Sequence, residues 1–165
     1  FYDTTLTFMN TAMISLNLNS QDETLREVFQ NKDFRIGLSH AINRQAIIDT
    51  VYQRQGEPWQ GAPRPEHRLY DEEMAKQYTE YDVDLANQYL DDAGYAETNS
   101  DGIRLGPDGN PISLQFTVSN FNSEWTDMVT MVIDDWQAVG VDVQMDAVDN
   151  TLYQERIQTQ GVERL

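Results

Sequence analysis

Cysteine is absent from the 165 residues, so neither a disulfide framework nor a thiolate metal site can form. Lysine is nearly absent, with Lys32 and Lys76 the only two; basic residues number 11 against 28 acidic, and the formal net charge is −17. Nucleic-acid binding needs clustered positive charge to displace counterions from phosphates, so nucleic acid is not an expected partner, and anionic membranes are disfavoured for the same reason. An acidic, lysine-poor surface stays soluble through self-repulsion that salt screens, which makes a saline habitat an expectation open to test. No run of 18 apolar residues occurs, and the opening FYDTTLTF lacks the basic start and apolar centre of a signal peptide. No segment of this sequence is therefore expected to span a membrane or to target one.

Catalytic signatures are missing too. His40 and His67 are the only histidines, and neither belongs to HExxH or a metal-spaced cluster; no GxSxG elbow or phosphate loop occurs. The pairs Asp91 with Asp92 and Asp134 with Asp135 occupy adjacent helical positions that point about 100 degrees apart, which suits a solvated face better than an acid and base pair. Glu97, Asn99, Asp101, Gly102 and Asp108 fall at positions 1, 3, 5, 6 and 12 of a calcium-loop count. Position 1 is Glu instead of Asp, position 12 is a short Asp, and a strand follows where a helix belongs, so polar turns are the expectation there. The chain is expected to be no enzyme, with no catalytic residue, no metal and no cofactor.

What is present is a chain of one domain's length, able to bury roughly two-thirds of its unfolded surface. The alternation of Ala12, Ile14, Leu16 and Leu18 predicts a strand over 11–19. Asp22 is placed to cap a short helix through Phe29, and Asn31 to cap the next. From Phe34 to Tyr52 the apolar residues keep a helical period: Phe34, Leu38, Ala41 and Ile42 share a face, and after Asn43 the stripe resumes at Ile47, Ile48 and Val51. Two consecutive helices are predicted, with Asn43 capping the second and Arg44 exposed at the junction. Residues 53–81, with three prolines and two glycines, read as a long surface loop. Its Trp59 either plugs the loop onto the core or faces a ligand.

Asp82 begins a further helix ended by Gly94, and a hairpin is predicted from Ile103–Leu105, a turn at Pro107–Gly109 and a strand over 112–119. Asn122 or Ser123 caps a helix over 124–139, Gly140 ends it, and Val141, Val143, Met145 and Ala147 alternate as a strand. Strand, helix and strand at this spacing imply a parallel pair joined by a right-handed crossover. A last helix places Leu152, Tyr153 and Ile157 inward. The fold expected is α/β, a mixed sheet with a βαβ unit and a β-hairpin, helices packed on the sheet.

Three strings give this organisation a family. FRIGLSHAINRQAI resembles the helical signature of bacterial extracellular solute-binding proteins of family 5, close to "(V/F)R.AL..AI(D/N)R..I", with Gly37 where the family usually has Ala. A strand ending in Asn precedes the signature in that family, and Asn17 or Asn19 stands in the matching place. YDVDLANQYLDDAGY resembles the family's "YD...A..LL..AGY", and DWQAVGVDV its "W...GI.V", with Trp136 on the helix as a core residue. The resemblance implies one α/β lobe, residues 1–165, of a larger two-lobed periplasmic-binding-protein-like receptor. Such a receptor serves an ABC importer, closes on a peptide or similar small solute by hinge motion and delivers it to membrane permease subunits. It works in the periplasm or outside the cell, held through a signal or lipid anchor of the parent protein, as a monomer. An interaction or sensor module of similar ancestry remains the alternative.

Ligands of open α/β sheets meet the C-terminal ends of parallel strands. Ser119, Asn120, Phe121 and Asn122 leave such an end at the head of a helix, and are the first expected ligand contacts, with Asn17 and Trp59 behind them. The family's tryptophan and aspartate loop that holds a peptide's amino end comes later than any string before Leu165, which implies that these residues carry only part of the site. Arg44 is the one residue of the 34–52 stretch with an open functional question.

Overall fold

The computed structural model describes residues 12–158. Short polar residues start its helices. Asp22 accepts from the Leu25 amide and opens α1 (Glu23–Gln30), and Asn31 accepts from the amides of Asp33 and Phe34 at the head of α2 (Lys32–Ala41). The Asn43 side chain accepts from the Ala46 amide and opens α3 (Arg44–Thr50), so the break read between two helices is a cap. Asp71 opens α4 (Glu72–Lys76) and Asp82 opens α5 (Val83–Asp92). β1 (Ser113–Ser119), α6 (Ser123–Ala138) and β2 (Asp142–Val148) follow, then α7 (Asn150–Gln158).

β1 and β2 pair in parallel, Ser113 opposite Asp142 through Ser119 opposite Val148, with α6 as the crossover. This is the expected βαβ unit. The crossover ends at Gly140, whose φ of +84° sits where a side chain is strained; a Cβ there would lie 2.9 Å from the Gly102 carbonyl oxygen. Leu114, Phe116 and Val118 of β1 and Val143 of β2 are buried beneath Val129, Val132 and Trp136 of α6. The Trp136 indole donates to the Leu38 carbonyl (3.0 Å), joining the βαβ unit to α2, and Phe34 meets Tyr95 edge to face at 5.6 Å. Trp136 is thus the core residue expected of it.

Four expectations need correction. The alternation over 11–19 survives as burial, Ala12, Ile14 and Leu16 half-buried and Met13 and Ser15 exposed, but residues 12–19 form no strand among the described residues, and residue 11 lies outside them. A strand exists only through a neighbour's ladder, and none is there; Leu18, read as inward, is 41% exposed. The hairpin is reduced to isolated antiparallel bridges, Thr98 with Arg104 and Leu105 with Pro111, two short contacts that do not extend into a ladder along β1, whose partner is β2. The 53–81 loop contains a helix, α4, whose five residues are too few to show a period. Of the inward set on β2, Ala147 is exposed and Val148 buried. On α7, Leu152 and Tyr153 are half-buried, and the side chain of Ile157 lies outside the described residues.

Arg104, 6% exposed, ties the segments beyond α5 and α6 together. Its Nε donates to the Val139 carbonyl (2.8 Å), Nη1 to the Tyr95 carbonyl (2.6 Å) and the Asp91 carboxylate (2.5 Å), and Nη2 to Asn87 Oδ1 (2.9 Å).

Candidate ligand site

The first candidate place is the corner between β1 and α6. Ser119 is 1% exposed; its hydroxyl accepts from the Phe121 amide (3.3 Å) and lies 3.4 Å from Asn150 Oδ1. The Asn120 amide donates to the Val148 carbonyl (2.8 Å), extending the ladder one residue past the strand. Asn122 Oδ1 accepts from the Glu124 amide (2.9 Å) and caps α6. Ser119 and Asn122 therefore hold the corner. Between them Asn120 is exposed and the Phe121 ring is 76% exposed, so an amide and an aromatic face stand side by side in solvent.

The second place is a recess of about 1070 Å³ between residues 12–18, α2, α3, the 53–81 loop and α6. Trp59 lines it and is fixed there: the ring stacks on Tyr70 (6.0 Å between centroids, planes 14° apart), the indole donates to the Ala62 carbonyl (3.2 Å), and Lys76 Nζ sits 4.3 Å over the ring. Lys76 also meets the Glu57 carboxylate at 2.6 Å. Trp59 thus anchors the loop and presents an edge to the recess at once. Asn17 closes the 12–17 segment, its side chain accepting from the Asn19 amide (3.1 Å) and its carbonyl from the Ser20 amide (3.2 Å).

Arg44 lines the same recess. Its guanidinium donates to the Ser39 carbonyl (2.6 Å) and hydroxyl (2.8 Å), and burial pushes its pKa down from the usual arginine range. No Asp or Glu among the described residues forms an ion pair with it. The Ser39 hydroxyl in turn donates to the Tyr78 carbonyl (2.7 Å) and accepts from Gln60 Nε2 (3.2 Å). Ser39 and Gln60 carry no signal in the sequence, since their partnership depends on how the loop returns over α2.

The six candidate contacts do not share one cavity. Trp59 lines the recess, Asn17 sits at the end of its N-terminal wall, and Ser119 to Asn122 form a separate corner. The two places approach each other at Tyr52, which lines the recess and whose phenol pKa is raised first by burial and then by the charge of Glu124 in the first turn of α6. The 97–108 stretch is a set of polar turns: Asn99 Oδ1 accepts from the amides of Asp101 and Ile103, both at 2.9 Å, and Asp108 accepts from Asn110.

Residues 4–163 match the family model of bacterial extracellular solute-binding proteins, family 5, middle region. Oligopeptide-binding protein AppA of Bacillus subtilis is 28% identical over 123 residues, 74% of this chain and 22% of that protein. Di/tripeptide-binding protein 1 of Pseudomonas aeruginosa is 30% identical over 113 residues, 68% of this chain and 19% of that protein. Among solved structures, oligopeptide-binding protein OppA superposes with a TM-score of 0.81 at 36% identity, over 88% of this chain and 23% of that one. The chain thus spans about a fifth of the length of these relatives, which are binding proteins by name. With three ordered sequence strings, the βαβ architecture and a family match over nearly its whole length in agreement, the chain belongs to the bacterial extracellular solute-binding proteins of family 5.

Proposed function

We propose that the chain is the ligand-gripping lobe of the substrate-binding component of an ABC importer, acting on peptides or similar small solutes without chemistry of its own. The lobe closes on its ligand by hinge motion and the loaded receptor delivers to a membrane permease. The parent protein works as a monomer in the periplasm or outside the cell, held by a signal or lipid anchor. The names of the two relatives, one oligopeptide-binding and one di/tripeptide-binding, support peptides as the ligand class.

The observation that carries the reading is the β1–α6 corner. It lies at the C-terminal end of a parallel strand, where α/β sheets meet small molecules, and it holds Phe121 in solvent beside the exposed Asn120. Phe121 supplies apolar contact and Asn120 an amide that pairs with a peptide backbone, while Ser119 and Asn122 fix their positions; Trp59 and Asn17 contribute from the recess side.

Calorimetric titration of the full-length receptor with trialanine, a nonapeptide, an oligosaccharide and a nickel chelate tests this. Binding of at least one peptide is expected. Phe121→Ala with Asn120→Ala is expected to weaken it about tenfold or more, near 1.4 kcal/mol, at an unchanged melting temperature. Unchanged affinity removes the corner from the site, and silence across the panel removes the receptor reading.

A further inference from the structure

Two sulfur contacts run side by side along the seam between the end of α3 and α6. The Thr50 hydroxyl lies 3.7 Å from the Met131 thioether, and the Tyr52 hydroxyl lies 4.0 Å from the Met128 thioether. Glu124, Met128 and Met131 stand at i, i+4 and i+7 of α6, so they share the face turned to Tyr52. Three residues before Glu124 comes Phe121, the exposed ring of the β1–α6 corner. Tyr52 and Met128 are half-buried and line the recess. The seam therefore joins the recess to the corner.

Its charge and its surface point to one kind of group. Glu124 is exposed, and no Lys or Arg among the described residues forms an ion pair with it. Its charge reaches Tyr52, whose phenol pKa is raised first by burial and then by Glu124. A thioether is a weak acceptor, so the Tyr52 hydroxyl keeps its capacity for a stronger partner. Below the carboxylate, Met128 and the Tyr52 ring offer soft, polarizable apolar surface. A long side chain with an apolar stem and a cationic head fits both features, and the Phe121 ring adds an aromatic face for the cation. The recess behind Tyr52 has the opposite sign. Lys32, Arg35, Arg44 and Arg64 line it against two carboxylates, and one of these, Glu57, is held by Lys76. A basic group of the ligand is repelled there and collected at the seam.

We infer that the seam is a subsite for a basic side chain of the ligand, and that the receptor selects peptides carrying lysine or arginine. Glu124 sets the preference, and Met128 with Tyr52 seats the stem. The inference rests on the reading of this chain as part of a peptide receptor, which trialanine binding tests separately.

Calorimetric titration of the full-length receptor decides it, with trialanine and with tripeptides that replace one alanine by lysine, methionine or glutamate at each position in turn. At one position lysine is expected to bind about tenfold or more tighter than methionine, a neutral side chain of similar length, and glutamate more weakly than either. The preference is expected to shrink as sodium chloride rises to about 0.5 M. Glu124→Gln is expected to bring the lysine and methionine peptides within about twofold of each other. Asp134→Asn removes the same charge from an exposed position toward the other end of α6 and is expected to keep the preference. Equal binding of lysine and methionine at every position overturns the subsite and leaves the receptor reading standing. A preference that survives Glu124→Gln overturns the seat, and one that Asp134→Asn abolishes as well belongs to the net charge and overturns it too. Silence toward trialanine and every other peptide overturns the receptor reading and the subsite with it. Should Glu124→Gln fail to fold, Glu124→Asp draws the carboxylate back by one methylene and is expected to weaken the lysine preference; an undiminished preference overturns the seat.

Discussion

Gly37 shows how one missing carbon sets a helix crossing. A Cβ at this position would lie 2.9 Å from Leu90 Cγ and 3.0 Å from the Ala86 carbonyl oxygen on α5, closer than a buried atom tolerates. Alanine gains about 1 kcal/mol of helix propensity and meets an overpacking cost of about 1 to 3 kcal/mol. Gly37→Ala is therefore expected to be neutral to destabilising, and urea unfolding that shows a clear gain would disprove the close approach. Arg104 is the opposite case, a side chain that cannot be shortened. Arg104→Met leaves the Val139 and Tyr95 carbonyls without its donors and is expected to cost about 3 kcal/mol in the same measurement. Asp135 brings pH into the packing. Burial raises its carboxyl pKa, the Asn43 amide at 2.8 Å opposes that, and Asp134 adds to it. A carboxyl raised in the folded state binds its proton more tightly there than in the unfolded chain, so its charge costs stability above the folded pKa, and the cost fades as pH falls through it. Asp135→Asn keeps an acceptor for Asn43 without the charge. Its melting temperature is expected to exceed wild type at pH 7, with the gap closing as pH falls through the carboxylate range.

At the scale of elements, the joints are single polar side chains. Asn43 serves two elements at once, its side chain capping α3 and its amide donating to Asp135 on α6. Asn43→Ala is expected to lower stability by about 1 kcal/mol, read by thermal unfolding. The caps at Asp22, Asn31, Asn43 and Asp82 were legible in the sequence, and that at Asn122 as one of two neighbouring choices with Ser123, because a cap is a local contract between a short polar side chain and an amide two or three residues on. The βαβ unit was legible because a period change at Gly140 marks helix giving way to strand. The 12–19 run, the hairpin and α4 were not, since strand status depends on a neighbour and a five-residue helix is too short to show a pattern. For the candidate site, the β1–α6 corner followed from topology, whereas Ser39, Gln60 and the recess around Arg44 depend on how the 53–81 loop folds back, which no local pattern encodes.

The whole molecule carries a formal charge of −17, and the ion pairs seen among the described residues each have at least one partner that is a quarter or more exposed. Salt then screens repulsion more than attraction. The melting temperature is expected to rise with sodium chloride toward 1 M, a gain of about 1 kcal/mol corresponding to about 3 °C for a chain of this size; a flat or falling series would count against repulsion as a limit on stability. The scarcity of lysine has its own consequence. An amine-directed reagent meets only two side chains, Lys32 at the edge of the recess and Lys76 over the Trp59 ring beside Glu57. Acylation at Lys76 must first lift that amine from both partners, so the labelling ratio of the two lysines is a built-in gauge of whether the Trp59 loop is shut.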